Sequence, residues 1–140
     1  MGYTHYYKTE KPLDAEKFKN FSVDVQKLVD KASKNGINIV NGMGEIGTKP
    51  TINASIISLN GEGENAHETL IIRKEQQGFE FCKTARKPYD IVVASILIAL
   101  GKHYSKDVEI SSDGTNEDEE WKNAKEFCQE TLGYGETYMN

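Results

Sequence analysis

The segment from Asp90 to His103 constrains the fold most strongly, because it predicts a helix with large aliphatic residues nearly all round. These residues are Ile91, Val92, Val93, Ile96, Leu97, Ile98 and Leu100. Such a helix must be covered on several sides, so we expect it in the middle of the core. The run is shorter than the roughly 20 apolar residues that cross a bilayer, and we expect no membrane partner.

The remaining hydrophobic pattern predicts two amphipathic helices and six strands. One helix follows Asp14 and stops at Asn35, and the other runs through Trp121 to Leu132. The strands are predicted at 3–7, 37–40, 51–59, 69–73, 79–82 and 108–112. Short links between consecutive strands favour antiparallel pairing. The order β-α-β-β-β-β-α-β-α therefore predicts one α+β domain over 1–140, in which about three helices cover a mostly antiparallel sheet.

Composition limits the partners and the compartment. The formal net charge of -5 argues against duplex nucleic acid, because duplex binding needs a broad basic face. Cys82 and Cys128 lie far apart in apolar segments, a pattern typical of reduced thiols in an intracellular protein, so we expect a cytoplasmic location. The three histidines lack the spacing of metal ligands, and we expect neither a metal site nor a cofactor.

A basic turn, residues 83–90, joins a strand to the apolar helix and is the strongest functional signal in the chain. Lys83, Arg86 and Lys87 supply cations, Thr84 supplies a hydroxyl, and Asp90 can cap the helix. A helix N-terminus carries free N–H groups and a partial positive charge, so the turn predicts a pocket for a phosphate or carboxylate. The alternative is a solvated loop that happens to be basic.

A histidine and a second polar turn are the other candidates. His5 alternates with Tyr3 and Tyr7, which places its imidazole beside two aromatic rings on one face of a strand. It either contacts a ligand or transfers a proton, or it is a half-buried structural histidine. The turn Ser111-Ser112-Asp113-Gly114 follows a later strand. If that strand lies beside 79–82, both polar turns open at the same edge of the sheet.

Three motifs carry a resemblance to a known family. They are Met-Gly-Tyr-Thr-His-Tyr at Met1–Tyr6, Phe-Cys-Lys-Thr-Ala-Arg-Lys-Pro-Tyr-Asp at Phe81–Asp90, and Ser-Ser-Asp-Gly at Ser111–Gly114. With these motifs the chain resembles a family of small proteins from bacteriophages and bacteria. The resemblance implies a phage or prophage setting and a polar site shared by His5, the basic turn and the serine-aspartate turn. It implies no particular activity.

These features favour a protein that binds a phosphorylated or nucleotide-type small molecule. The predicted ligand-binding residues are Tyr3, His5, Tyr7, Lys83, Thr84, Arg86, Lys87, Tyr89, Ser111, Ser112 and Asp113. Lys83 and Arg86 would contact phosphate, and the hydroxyls of Thr84 and of Ser111 or Ser112 would donate hydrogen bonds. Tyr3, Tyr7 or Tyr89 would stack on a base. By analogy with phage proteins of this kind, the ligand would be a signal of host anti-phage defence that the protein sequesters.

Two other functions stay open. A phosphoesterase-like enzyme acting on a nucleotide would use His5 as general acid or base, Asp113 as its partner and Arg86 to stabilise developing charge. A protein-interaction module would inhibit a host defence protein through its acidic face. A homo-oligomer is compatible with each of these functions.

Overall fold

The computed structural model describes residues 3–75, 78–115 and 117–137. Its helices in this part of the chain are α1 (Ala15–Lys34), α2 (Asp90–Tyr104) and α3 (Glu119–Leu132). The side chain of Asp14 accepts the amide hydrogen of Lys17 and so caps α1 as predicted. At the other end of the chain, Gly133 adopts the left-handed conformation that stops α3.

The strands of the described residues form two antiparallel sheets. They are β1 (Thr4–Thr9), β2 (Ile39–Val40), β3 (Thr51–Ile52), β4 (Ile56–Gly61), β5 (Leu70–Arg73), β6 (Gly78–Lys83) and β7 (Val108–Ser112). The first sheet has the order β6-β1-β7, with β1 antiparallel to both neighbours. In the second sheet, β4 pairs antiparallel with β2, β3 and β5. The predicted α+β fold with antiparallel strands is confirmed, but the strands divide between two sheets, whereas a single sheet was predicted.

Helix α2 occupies the predicted central position. It packs against both other helices and against β7, and every residue from 92 to 100 is buried. Phe18, Phe21 and Val25 of α1 and Trp121 of α3 are also fully buried around it. No helix in the described part of the chain is long and apolar enough to cross a membrane.

Two of the predicted strands were wrong in extent. The segment 51–59 is divided into β3 and β4, because the Asn53 carboxamide accepts the amide hydrogens of Ser55 and Ile56 and closes a turn between them. The predicted strand 37–40 is only β2, because the amide of Ile37 still donates to Ala32 at the end of α1. The described part of the chain consequently has one strand more than predicted.

Candidate functional site

The two faces of β1 carry different chemistry. His5 and Tyr7 point inward with Tyr3, just before the strand, and all three are buried. Tyr6 and Lys8 lie on the opposite, outer face of the sheet, since side chains alternate along a strand. The prediction that Tyr3, His5 and Tyr7 share one face is confirmed. The ring centroids of Tyr3 and His5 are 5.1 Å apart in an edge-on arrangement.

His5 is the centre of a buried polar network. Its Nε2 lies 2.6 Å from Oδ1 of Asp90, and its Nδ1 lies 2.7 Å from Oγ of Ser112. The buried hydroxyl of Thr84 donates to the same Asp90 oxygen. His5 is only 1% exposed. The network therefore joins β1 to β7 and to the start of α2.

Ser112 connects this network to α3. Its Oγ accepts the Gly114 amide hydrogen at 2.9 Å and the Trp121 Nε1 hydrogen at 3.2 Å. With the imidazole proton on Nε2, His5 donates to Asp90 and accepts from the Ser112 hydroxyl, and each of these side chains is satisfied. Only glycine fits at position 114, because a Cβ there would lie 1.9 Å from the Tyr3 hydroxyl oxygen.

The structure corrects two predictions about the carboxylates. Asp90, and not Asp113, is the hydrogen-bond partner of His5. Asp113 instead accepts from the Tyr6 hydroxyl at 2.7 Å and from the Thr4 amide at 3.1 Å. Asp90 also does not cap α2: it is the first residue of the helix, and the capping position belongs to Tyr89. The alternation of side chains along β1 explains why Asp113 does not meet His5. Asp113 contacts Tyr6 on the outer face, whereas His5 points inward.

Ser112, His5 and Asp90 are hydrogen-bonded in the same sequence as the serine, histidine and aspartate of a catalytic triad, but the surroundings of these residues differ from those of a catalytic triad. A serine nucleophile needs an open approach to its oxygen and an imidazole that can meet the substrate. Here the Ser112 oxygen receives two N–H donors and the imidazole is enclosed between Tyr3 and Trp121, whose ring centroid lies 5.2 Å from it. In this conformation the network positions the sheet on the helices.

The backbone of the basic turn is held in an unusual conformation. Ala85 and Arg86 have φ values of 51° and 57°, in the left-handed region that residues with a Cβ rarely adopt. The amides of Thr84 and Ala85 both donate to the Tyr3 carbonyl, which fixes the turn against the chain just before β1. The amides of Lys87 and Asp90 are paired within the turn. These four N–H groups are therefore not free to receive an anion, in contrast to the predicted pocket.

The three cations of the turn have three different neighbours. Lys83 Nζ lies 5.6 Å from the ring centroid of Phe81 on the outer face of the sheet. The Arg86 guanidinium lies 4.1 Å over the Tyr3 ring, with its Nε 3.7 Å from a Glu120 oxygen. Lys87 Nζ donates to the Glu64 carbonyl at 3.2 Å. The Arg86 side chain is 52% exposed, so its long ion pair can be exchanged for another anion at small cost.

Burial overturns several of the predicted ligand contacts. The rings of Tyr3, Tyr7 and Tyr89 are all buried, so the prediction that one of them stacks on a base is wrong. Tyr7 donates to the Ile71 carbonyl and Tyr89 to the Glu68 carbonyl. Thr84 is likewise buried and engaged with Asp90. Burial, followed by the charges of Asp90 and Glu120, raises the pKa of Tyr3 to about 12.

Sequence reasoning missed the exposed aromatic residues of the outer face. Phe79 and Phe81 of β6 are 57% and 47% exposed. The Tyr6 ring of β1 stacks on Phe79, with ring centroids 5.6 Å apart, and Phe79 and Phe81 are 6.4 Å apart. We call Tyr6, Phe79 and Phe81 the aromatic row. The period of two along Phe79-Glu80-Phe81-Cys82 contained the signal, because a buried Cys82 places both phenylalanines on the opposite face.

The other sequence candidates are two buried thiols and one exposed hydroxyl. Cys82 and Cys128 are buried free thiols, and burial raises the pKa of each to about 12. Ser111 is exposed on the outer face opposite Tyr6. Among the described residues, no group of three or more His, Cys, Asp or Glu side chains could hold a metal ion.

Comparison with known proteins gives no match: no family model matches the chain, and no curated protein or solved structure does so at a significant level.

Proposed function

We propose that the protein binds an anionic, nucleotide-type small molecule where the basic turn meets the outer face of the first sheet. The observation that supports this most directly is the pair of Lys83 and Phe81, a cation 5.6 Å from the centroid of an aromatic ring that is itself half-exposed. A nucleotide presents a planar base and a charged phosphate, which an aromatic ring and a cation recognise together.

Arg86 supplies the second phosphate contact from the edge of the sheet: Tyr3, on which its guanidinium lies, points to the inner face, so a ligand stacked on Phe81 of the outer face reaches Arg86 by extending over that edge. Its guanidinium is stacked on Tyr3 and is therefore held in place before any ligand arrives, which lowers the entropic cost of binding. Its partner Glu120 is 3.7 Å away, too far for a strong bidentate pair. A phosphate that displaces this contact gains two parallel N–H donors from the planar guanidinium.

The setting implied by the family resemblance suggests the purpose of such binding. In the cytoplasm of an infected host, a phage protein that holds a nucleotide signal of anti-phage defence without changing it would lower the free concentration of that signal. The buried His5 network is consistent with holding rather than transforming, because His5 is 1% exposed and enclosed between aromatic rings. The base stacks on the half-exposed ring of Phe81 and not on a tyrosine, because Tyr3, Tyr7 and Tyr89 are buried.

The test is to incubate the purified protein with a panel of nucleotides and cyclic nucleotides, recover the bound ligand by denaturation, and measure its affinity by calorimetry. We expect intact recovery. Arg86→Ala should weaken binding about tenfold to a hundredfold, because a charged hydrogen bond contributes roughly 1.5–3 kcal/mol. Arg86→Lys should restore little of it, since a point charge replaces a planar fork.

Lys27→Ala is the matched control, since Lys27 is an exposed cation on α1. Equal affinity of Arg86→Ala and the parent protein would contradict the role of the basic turn. Recovery of an altered nucleotide would support the phosphoesterase alternative. Absence of capture across the whole panel would overturn the proposed function and favour a protein partner.

A further inference from the structure

The outer face of the first sheet has an unusual composition for an exposed surface. Its apolar side chains are all aromatic and form the aromatic row, Tyr6, Phe79 and Phe81. The side chains that share this face by register are polar: Thr4, Lys8, Lys83, Glu109 and Ser111. Flat rings in polar surroundings suit the stacking of planar groups better than the packing of aliphatic side chains.

The aromatic row is also long enough for more than one base to stack on it. Phe79 and Phe81 are two residues apart on one strand, with ring centroids 6.4 Å apart, so each offers a separate half-exposed ring. Next to Phe79, a pocket of about 280 Å³ is lined by Tyr6, Lys8, Glu109 and Ser111, among others. This pocket places hydroxyl, ammonium and carboxylate groups beside the stacking surface, where the edge of a base can reach them.

Charge is divided across the face. Lys83 is the last residue of β6 and lies at one end of the aromatic row, and Lys8 of β1 lies opposite Phe79. Glu109 and Asp113 lie on the β7 side, where Asp113 already accepts from Tyr6. A phosphate backbone is therefore favoured beside the side chains of Lys8 and Lys83 and disfavoured along β7. At the free edge of β6 the Glu68 carboxylate, which accepts the Lys83 amide hydrogen at 3.1 Å, opposes it.

From this arrangement we infer that the ligand of the proposed site is an oligonucleotide with unpaired bases, and that two consecutive bases stack on Phe79 and Phe81. The inference rests on the proposed function and names its ligand class. A duplex is excluded from this mode, because its bases are already paired and stacked inside the helix. The charge of -5 is no obstacle, since stacking supplies much of the affinity and the local cations contact only a few phosphates.

Fluorescence of Phe81→Trp provides the direct test. The chain has one natural tryptophan, Trp121, and it is fully buried, so the introduced indole would be the exposed fluorophore. Titration with single-stranded thymidine tetranucleotide should quench its emission, and thymidine monophosphate should bind at least about tenfold more weakly, because a second stacked base adds affinity. A longer hairpin in which the same four thymidines are paired within the stem should not quench the indole emission.

Phe79→Ala supplies the second measurement, by calorimetry in the otherwise unchanged protein. Because Phe79 is exposed, its removal should leave the fold intact, and it should lower tetranucleotide affinity about tenfold with little effect on the monophosphate. Val23→Ala is the matched control, an exposed apolar residue on α1 that should change neither affinity.

The outcomes separate the two proposals. Equal affinity for the monophosphate and the tetranucleotide, both sensitive to Arg86→Ala, would overturn this inference and leave the proposed function standing. Binding of neither probe, with no quenching, would overturn this inference, and the proposed function would fall with it only if no nucleotide of the panel is captured. Tight tetranucleotide binding that Phe79→Ala does not alter would also overturn the stacking arrangement.

Discussion

Removing the Asp90 carboxylate should destabilise the fold more than any comparable change at the surface. Asp90→Ala leaves His5 Nε2 and the Thr84 hydroxyl without their acceptor, and both residues are buried. Water cannot easily replace the lost oxygen, because the side chains of His5 and Asp90 are 0% and 6% exposed. A buried donor left without its acceptor typically costs about 1–3 kcal/mol, so the loss of both hydrogen bonds should lower the free energy of unfolding by about 3–5 kcal/mol.

The chain offers its own comparison in a second histidine-aspartate pair. His103 Nε2 lies 2.7 Å from Asp24 Oδ2, nearly the same separation, but these side chains are 20% and 16% exposed. Asp24→Ala leaves groups that water can reach, so its cost should be closer to about 1.5 kcal/mol. The expected difference of about 2 kcal/mol therefore isolates the effect of burial.

Equilibrium unfolding in guanidinium chloride, followed by far-ultraviolet circular dichroism, would measure the free energy of unfolding of both variants. Asp90→Asn, which keeps the acceptor oxygen, should fall between the parent and Asp90→Ala, and it provides a measurable variant if Asp90→Ala does not fold. The role of the network would be refuted if Asp90→Ala lowered the free energy of unfolding by less than about 1 kcal/mol, or by no more than Asp24→Ala does. A network whose loss costs so little stability does not position the sheet.

Two further predictions concern the core and the thiols. Ile96→Ala and Leu97→Ala should each cost about 2–5 kcal/mol by leaving a cavity in α2, and chemical denaturation showing less than about 1 kcal/mol for both would contradict the central placement of this helix. Cys82 and Cys128 should resist iodoacetamide in the folded protein near pH 8 and react after denaturation, because burial raises the pKa of each to about 12. Since both pKa values lie above the ordinary 9.0, the folded state holds more protons between these values. The contribution of the thiols to stability is thus complete below about pH 9 and is lost as the pH rises toward 12. Denaturation at several alkaline pH values would check this dependence. Rapid reaction of the folded protein with iodoacetamide would show that the thiols are not enclosed.

The sequence was sufficient to predict what depends on periodicity. The uniform apolar pattern of Ile91 to Leu100 placed α2 in the core, and the alternation of Tyr3, His5 and Tyr7 placed them on one face. These predictions succeeded because side-chain direction follows directly from the repeat of the backbone.

What failed depended on contacts between distant segments. Nothing local to Asp90 indicates that its carboxylate meets an imidazole 85 positions earlier in the chain. Likewise, a basic turn reads as an anion pocket until the partners of its amides are known, and here the Tyr3 carbonyl takes two of them. Such pairings are set by strand register, which sequence alone left open.

The position of β1 determines when the protein can assemble. This strand lies between β6 and β7, yet it precedes both in the chain, and the contact of His5 with Ser112 spans 107 positions. The hairpin-linked strands β3, β4 and β5 can pair locally, whereas β1 must wait for segments far downstream. During that interval an aromatic strand has open edges, which are templates for association with other chains. Folding should therefore be limited by the closure of this first sheet, and the species most prone to aggregate should be one in which β7 has not yet docked.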